Sequence, residues 1–156
     1  ELREGLSYRI QGIVAIAPST TTGGHVSFTM GDGDRTVRCM AYEPTKNFRQ
    51  IVRKLVLGDV VSAVGSYKKG SINLEKIRIT KLAIPVSSRP PICIPCNKRM
   101  TSDGTGKGYK CKKCGAHAAD SDVQVIPRNL TTGWYEVPPT ARRHLAKPLC
   151  RGEPEY

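Results

Sequence analysis

The chain is poor in acidic and aromatic residues. Its 156 residues include 13 Asp and Glu against 25 Lys and Arg, a formal net charge of +12, with only two Phe and one Trp. So few acids argue against a basic ligand and for a polyanionic one, most simply a nucleic acid. The excess is spread over both halves of the chain, so neither half is a basic tail on a neutral body. So few aromatics exclude broad base stacking as the main device and favour backbone electrostatics and shape. Long apolar runs are missing too. The longest, near Ile13–Pro18, is strand-sized, so no membrane span is expected. The opening Glu-Leu-Arg-Glu has no hydrophobic targeting segment behind it, which predicts a cytoplasmic protein with reduced thiols. It also lacks an initiating Met, as a fragment of a longer protein would. There is no internal repeat or low-complexity tract. The carboxylates are scattered, so no catalytic constellation is expected.

Six cysteines are present, and four are paired: Cys93-x2-Cys96 and Cys111-x2-Cys114. Two CxxC knuckles separated by a loop, Asn97 to Lys110, suit one tetrahedral zinc ion held by Cys93, Cys96, Cys111 and Cys114. Four thiolates leave no open position for water, so the site reads as structural rather than catalytic. Such a segment has too little apolar material to fold alone, and the metal would supply its stability. Four bound thiolates and one zinc ion would lower the net charge by two, to about +10. His117, three residues after Cys114, is expected to be an exposed neighbour. Cys39 falls on an inward strand face. Cys150 lies near the end with His144 nearby, too little to define a nucleophile. Asp103 to Gly108 lacks the spacing of a phosphate loop and reads as the tip between the knuckles, with Lys107 available to a phosphate.

Before the knuckles the pattern is one of strands. Ser7–Pro18 alternates, with Tyr8, Ile10, Gly12, Val14 and Ile16 on one side. His25–Met30 places Val26, Phe28 and Met30 inward. Gly31-Asp32-Gly33-Asp34 turns the chain, and Arg35–Tyr42 returns. Thr45 is the expected cap of a helix carrying Phe48, Ile51, Val52 and Leu55, closed by Gly58. Asp59–Tyr67 and Ser71–Leu82 are two further strands, the last with a phase slip near Glu75-Lys76. Three strands, a helix and two strands follow the order of an OB-fold barrel. The expected fold is therefore mainly β: a five-stranded OB-fold barrel with one helix over 1–85, a zinc ribbon over 86–127, and an irregular basic tail over 128–156. A short helix is expected within that tail, over Ala141–Ala146.

OB-folds bind looped or single-stranded nucleic acid across one polar face. The residues offered for that task are Arg38 and Tyr42 on strand three, Lys68 and Lys69 at the turn, and Lys76 and Arg78 on strand five. Lys107, Lys112 and Lys113 on the ribbon, and Arg142 and Arg143 in the tail, complete the set. Trp134 and Tyr135 are expected to pack on the barrel.

Certain strings are more specific: Gly133–Leu149 (GWYEVPPTARRHLAKPL), Met40–Val61 and Ile72–Leu82. With the CxxC pairs they resemble the C-terminal half of the archaeal tRNA 2-agmatinylcytidine synthetase family. The resemblance implies an ATP-dependent ligase that attaches agmatine to the C2 carbon of the wobble cytidine of the AUA-decoding isoleucine tRNA. It also implies that ATP and Mg belong to catalytic domains N-terminal to this chain, whose share is to bind and position tRNA. By resemblance the four cysteines match the family's zinc ligands, and Arg142, Arg143 and His144 match its basic tail motif. Two other readings stand beside this one. The chain would be an OB-fold and zinc-ribbon adaptor of an RNA-processing complex, such as an exosome cap subunit, or a single-strand-binding module.

Overall fold

The computed structural model describes residues 1–144 and 146–153. The chain divides into two compact units. The first comprises Glu1–Ala83 and Arg128–Tyr156, the second Ile84–Pro127.

In the first unit, β1 (Ser7–Thr20), β2 (Val26–Gly31), β3 (Thr36–Ala41), β4 (Val60–Lys68) and β5 (Ser71–Lys81) surround one core, with α1 (Asn47–Arg53) between β3 and β4. β1 pairs with β2, β2 with β3, β3 in parallel with β5, β5 with β4, and β4 with β1, so the pairings form a ring. This is the five-stranded arrangement of an OB-fold, with its helix in the expected place. Alternation sets the inward faces. Val26, Phe28, Met30, Cys39, Ala41, Val61, Ala63, Ile72, Ile77 and Ile79 are buried in one cluster, and Phe48, Val52 and Leu55 add the helix to it. Replacing a large member such as Phe48 by Ala would cost about 3–5 kcal/mol.

β1 is long enough to serve two partners. Its first half pairs with β4 and its second with β2, with register shifts beyond Val14. At the crossover a Cβ on Gly12 would lie 2.6 Å from the Gly31 carbonyl oxygen, so no larger residue fits without moving the backbone. The same shifts turn Ile16 outward, where it is exposed and no longer in phase with Val14. In β5, Val64 faces Lys76 while Gly65 faces Leu74, which leaves Glu75 as the extra residue of a bulge. Ile72 and Leu74 before it, and Ile77 and Ile79 after it, thereby all reach the core.

Thr45 does not cap the helix as expected. It ends a 3₁₀ turn, Glu43–Thr45, and its hydroxyl donates back to the Tyr42 carbonyl oxygen (2.6 Å). Lys46 stands at the cap position with no side-chain bond. Residues 128–153 are also more than a tail. β11 (Gly133–Glu136) pairs antiparallel with β5, and Leu130 and Val137 are buried in the barrel core. No helix forms over residues 141–144. Pro139–Ala141 makes a single 3₁₀ turn and Arg142 is extended, its side chain paired with Glu136 and that of Arg143 with Glu75, tertiary contacts that override local helix preference. Leu145, within the same expected helix, lies outside the described residues.

In the second unit, β6 (Val86–Arg89) pairs with β10 (Asp122–Val125). β7 (Thr101–Ser102), β8 (Tyr109–Lys110) and β9 (His117–Ala118) form a small three-stranded sheet between them in the chain. Only Cys93, Met100 and Cys111 form its buried cluster, with Cys96, Tyr109, Ala116 and Ala118 packed against them.

Candidate metal centre and nucleic-acid interface

The two knuckles are built alike. The Cys93 carbonyl accepts from the Asn97 N–H (2.8 Å), and the Cys93 N–H donates to Lys98 (2.8 Å). Likewise the Cys111 carbonyl accepts from the Gly115 N–H (2.8 Å), and the Cys111 N–H donates to Ala116 (2.8 Å). The residue after each second cysteine is left-handed, Asn97 at φ 50° and Gly115 at φ 77°, as so tight a return requires. The sulfurs of Cys93, Cys96, Cys111 and Cys114 consequently lie within 4.8 Å of one another, with Cys93 and Cys114 3.5 Å apart. A tetrahedron with zinc–sulfur bonds of about 2.3 Å has edges near 3.8 Å, so the donors fit zinc. The N–H groups of Cys114 and Lys113 pull the Cys111 thiol down to about 6, whereas burial pushes Cys93 up and the hydrogen bond with Cys114 pushes Cys96 up to about 12, so the sulfurs share their protons unequally. Among the described residues this is the one cluster of His, Cys, Asp or Glu able to hold a metal ion. His117 is exposed, with Nδ1 3.6 Å from the Asp103 carboxylate. Cys39 is buried in the barrel, its thiol pushed up to about 12 by desolvation, and Cys150 is exposed.

The residues offered for nucleic acid fall into three situations. Some are open. Lys68 and Lys69 form the β4–β5 turn, and Lys107, Lys112 and Lys113 are exposed on the ribbon loops. The Lys69 N–H is held by the Glu4 carboxylate (3.1 Å). Others lie on the barrel face. Arg38 donates to Ser27 Oγ (3.1 Å), while Tyr42 donates to Asn73 Oδ1 (3.3 Å) and meets the His25 ring edge-on at 5.1 Å.

The rest are engaged within the barrel unit. Arg78 lies 5.8 Å from the Trp134 ring centroid and 3.7 Å from Glu153. Arg9 lies over the same ring at 5.5 Å. Arg142 pairs with Glu136 (3.1 Å), and Arg143 with Glu75 and Ser7. Lys76 is a correction. It is only 3% exposed, on a stretch of β5 flanked on both sides, by Glu136 of β11 and by Val64 of β4, so it is not on an open edge. His25 and Asn73 escaped the sequence reading, since a polar residue at a strand end or hairpin carries no pattern of its own.

Asp59 and Arg128 escaped it as well. Asp59 has no exposed surface and receives both Arg128 terminal nitrogens (2.7 Å each) and the N–H groups of Val56 and Ala83 (2.8 Å each). Burial alone would raise its pKa. The Arg128 hydrogen bond, the two backbone donors and the guanidinium charge outweigh burial and hold the carboxyl below its usual range. Arg128 also donates to the carbonyls of Ala83 and Lys54 (2.9 Å each).

Together these features define an OB-fold barrel whose chain runs out into a zinc ribbon and returns. Comparison with known proteins narrows the class. A family model for the TiaS C-terminal zinc ribbon domain matches residues 90–130. TiaS of Methanosarcina mazei, a 2-agmatinylcytidine synthetase for an isoleucine tRNA, is 49% identical over 154 residues, covering 98% of this chain and 36% of that protein. Its counterpart from Archaeoglobus fulgidus is 49% identical over 145 residues, 93% of this chain and 34% of that protein. A solved complex of TiaS with an isoleucine tRNA and ATP is 46% identical, covers 99% of this chain and 36% of its own, and superimposes with a TM-score of 0.89. The chain belongs to the tRNA 2-agmatinylcytidine synthetase family and spans about a third of the length of the curated relatives it matches. The ribbon match and the cysteine cluster together support a structural zinc ion. No described helix is long and apolar enough to cross a membrane.

Proposed function

We propose that this chain is the tRNA-gripping part of an ATP-dependent ligase that attaches agmatine to the wobble cytidine of the AUA-decoding isoleucine tRNA. The likeness over nearly the whole chain to a protein crystallised with an isoleucine tRNA and ATP carries the reading. On this reading, catalysis, ATP and Mg belong to the two thirds of the relatives' length that this chain does not span. The work is cytoplasmic, where thiols stay reduced. Cys93, Cys96, Cys111 and Cys114 hold a zinc ion that cross-links the two knuckles. Arg38 and Tyr42 with Lys68 and Lys69 meet RNA on the barrel, and Lys107, Lys112 and Lys113 meet it on the ribbon. Arg78, Arg142 and Arg143 contribute through the N–H groups left over beside the carboxylates that pair with them.

The physics fits the task. An enzyme that modifies a wobble base must draw that base out of its stack and must hold the rest of the tRNA while doing so. Exposed lysines on loops supply sequence-independent phosphate contacts that set position. Filter binding of a transcript of the AUA-decoding isoleucine tRNA across salt is the test. Several phosphate contacts predict a steep loss of affinity between about 50 and 200 mM salt, whereas weak binding that is flat over that range would contradict the reading.

A further inference from the structure

Beside the β4–β5 turn the barrel unit carries an open-mouthed cavity of about 360 Å³, lined by Glu4, Ser66, Tyr67, Lys68, Asn73 and Arg143. This is near the lower end of the range for small-molecule sites, too small for a duplex and sufficient for one base and part of its sugar. Its wall is chemically mixed. Tyr67 is half-buried against the core and offers an aromatic surface. Asn73 accepts from Tyr42 through Oδ1, and the NH₂ of the same amide provides donors for a base edge. Lys68 is an exposed cation at the mouth, and the half-exposed Arg143 is the second.

The charges argue against a simple anion site. Glu75 already draws on Arg143, and the Glu4 carboxylate sits on the Lys69 N–H at the same rim. A bare phosphate would meet one unencumbered cation at a rim that also carries a carboxylate. A ligand with an apolar, hydrogen-bonding body and a phosphate would use the whole wall. Through Asn73 the cavity also adjoins Tyr42, just past the end of β3, whose ring meets His25, just before β2, on the kind of face on which OB-folds splay unstacked bases.

We propose that this cavity receives one unstacked nucleotide of the bound RNA, its base against Tyr67 and Asn73 and its phosphate at Lys68. The proposal rests on the reading of the chain as an RNA binder and names the element of RNA that this part of the barrel takes. The test is amide NMR of the zinc-loaded chain titrated with 5′-CMP, with inorganic phosphate as the control. The expected result is a saturable shift of Ser66, Tyr67 and Asn73 with the nucleotide and not with phosphate. Asn73→Ala weakens that binding about fivefold, as the loss of one hydrogen bond would. Lys68→Gln weakens 5′-CMP binding and leaves cytidine binding unchanged. Shifts reproduced by phosphate alone, or nucleotide binding untouched by both substitutions, would overturn the proposal. Absence of the shifts while tRNA still binds overturns it alone, and absence of both takes the underlying reading with it.

Discussion

Asp59 joins four parts of the barrel unit through one carboxylate. It takes donors from Val56 after the helix, from Ala83 at the end of β5, and from Arg128 where the chain re-enters, and it stands at the start of β4. A buried ion pair of this kind is worth little against an apolar pair of the same shape, but removal of one partner strands a charge. Arg128→Met is therefore expected to destabilise the barrel by about 3 kcal/mol or more, read as a lowered midpoint in urea. The paired replacement Asp59→Leu with Arg128→Met should recover much of that loss. Acid should act on the same contact. Because the folded pKa of Asp59 lies below its unfolded value, its contribution is fully present above about pH 4 and is lost as pH falls through the folded value. Thermal melts should show Arg128→Met less sensitive than the parent to acid in that window. None of this was legible in the sequence. The partners are 69 residues apart, and an Asp after Gly58 or an Arg after Pro127 looks like ordinary loop chemistry. Lys76 misled for a related reason, since alternation tells which side of a strand a residue takes but not that a late strand pairs beside it and that it ends up buried.

The elements were more readable where one physical rule governs them. Val26, Phe28 and Met30 announce β2 because alternation and burial coincide, and the phase slip at Glu75 is the bulge that keeps β5 in register. The cysteine spacing announces the knuckles because metal geometry leaves few alternatives. The β11 strand was not readable. Gly133–Glu136 is four residues long and pairs with a strand more than fifty positions earlier, so its identity comes from the partner. The ribbon's small buried cluster implies a sharp dependence on metal. Cys111→Ser, or a chelator, is expected to abolish hydrogen-exchange protection over 90–125 and to leave β2, β3 and β4 protected. Unchanged protection across the ribbon after chelation would show that something other than the metal holds it.

At the scale of the whole molecule, the positive excess belongs to barrel and ribbon alike, and three of its arginines, Arg143, Arg142 and Arg78, are engaged by Glu75, Glu136 and Glu153. The exposed lysines of the β4–β5 turn and the ribbon loops are open by contrast, which suits contacts that follow a phosphate backbone rather than read bases bidentately. Both units should then contribute to RNA affinity, the barrel independently of metal and the ribbon only while folded around it. The most direct test measures affinity for the AUA-decoding isoleucine tRNA against salt, for the zinc-loaded chain and for the same chain after chelation. Tight, steeply salt-dependent binding is expected for the loaded chain, and weaker binding with a shallower slope once the metal is stripped. Two coincident lines, or a flat response from the loaded chain, would contradict that expectation.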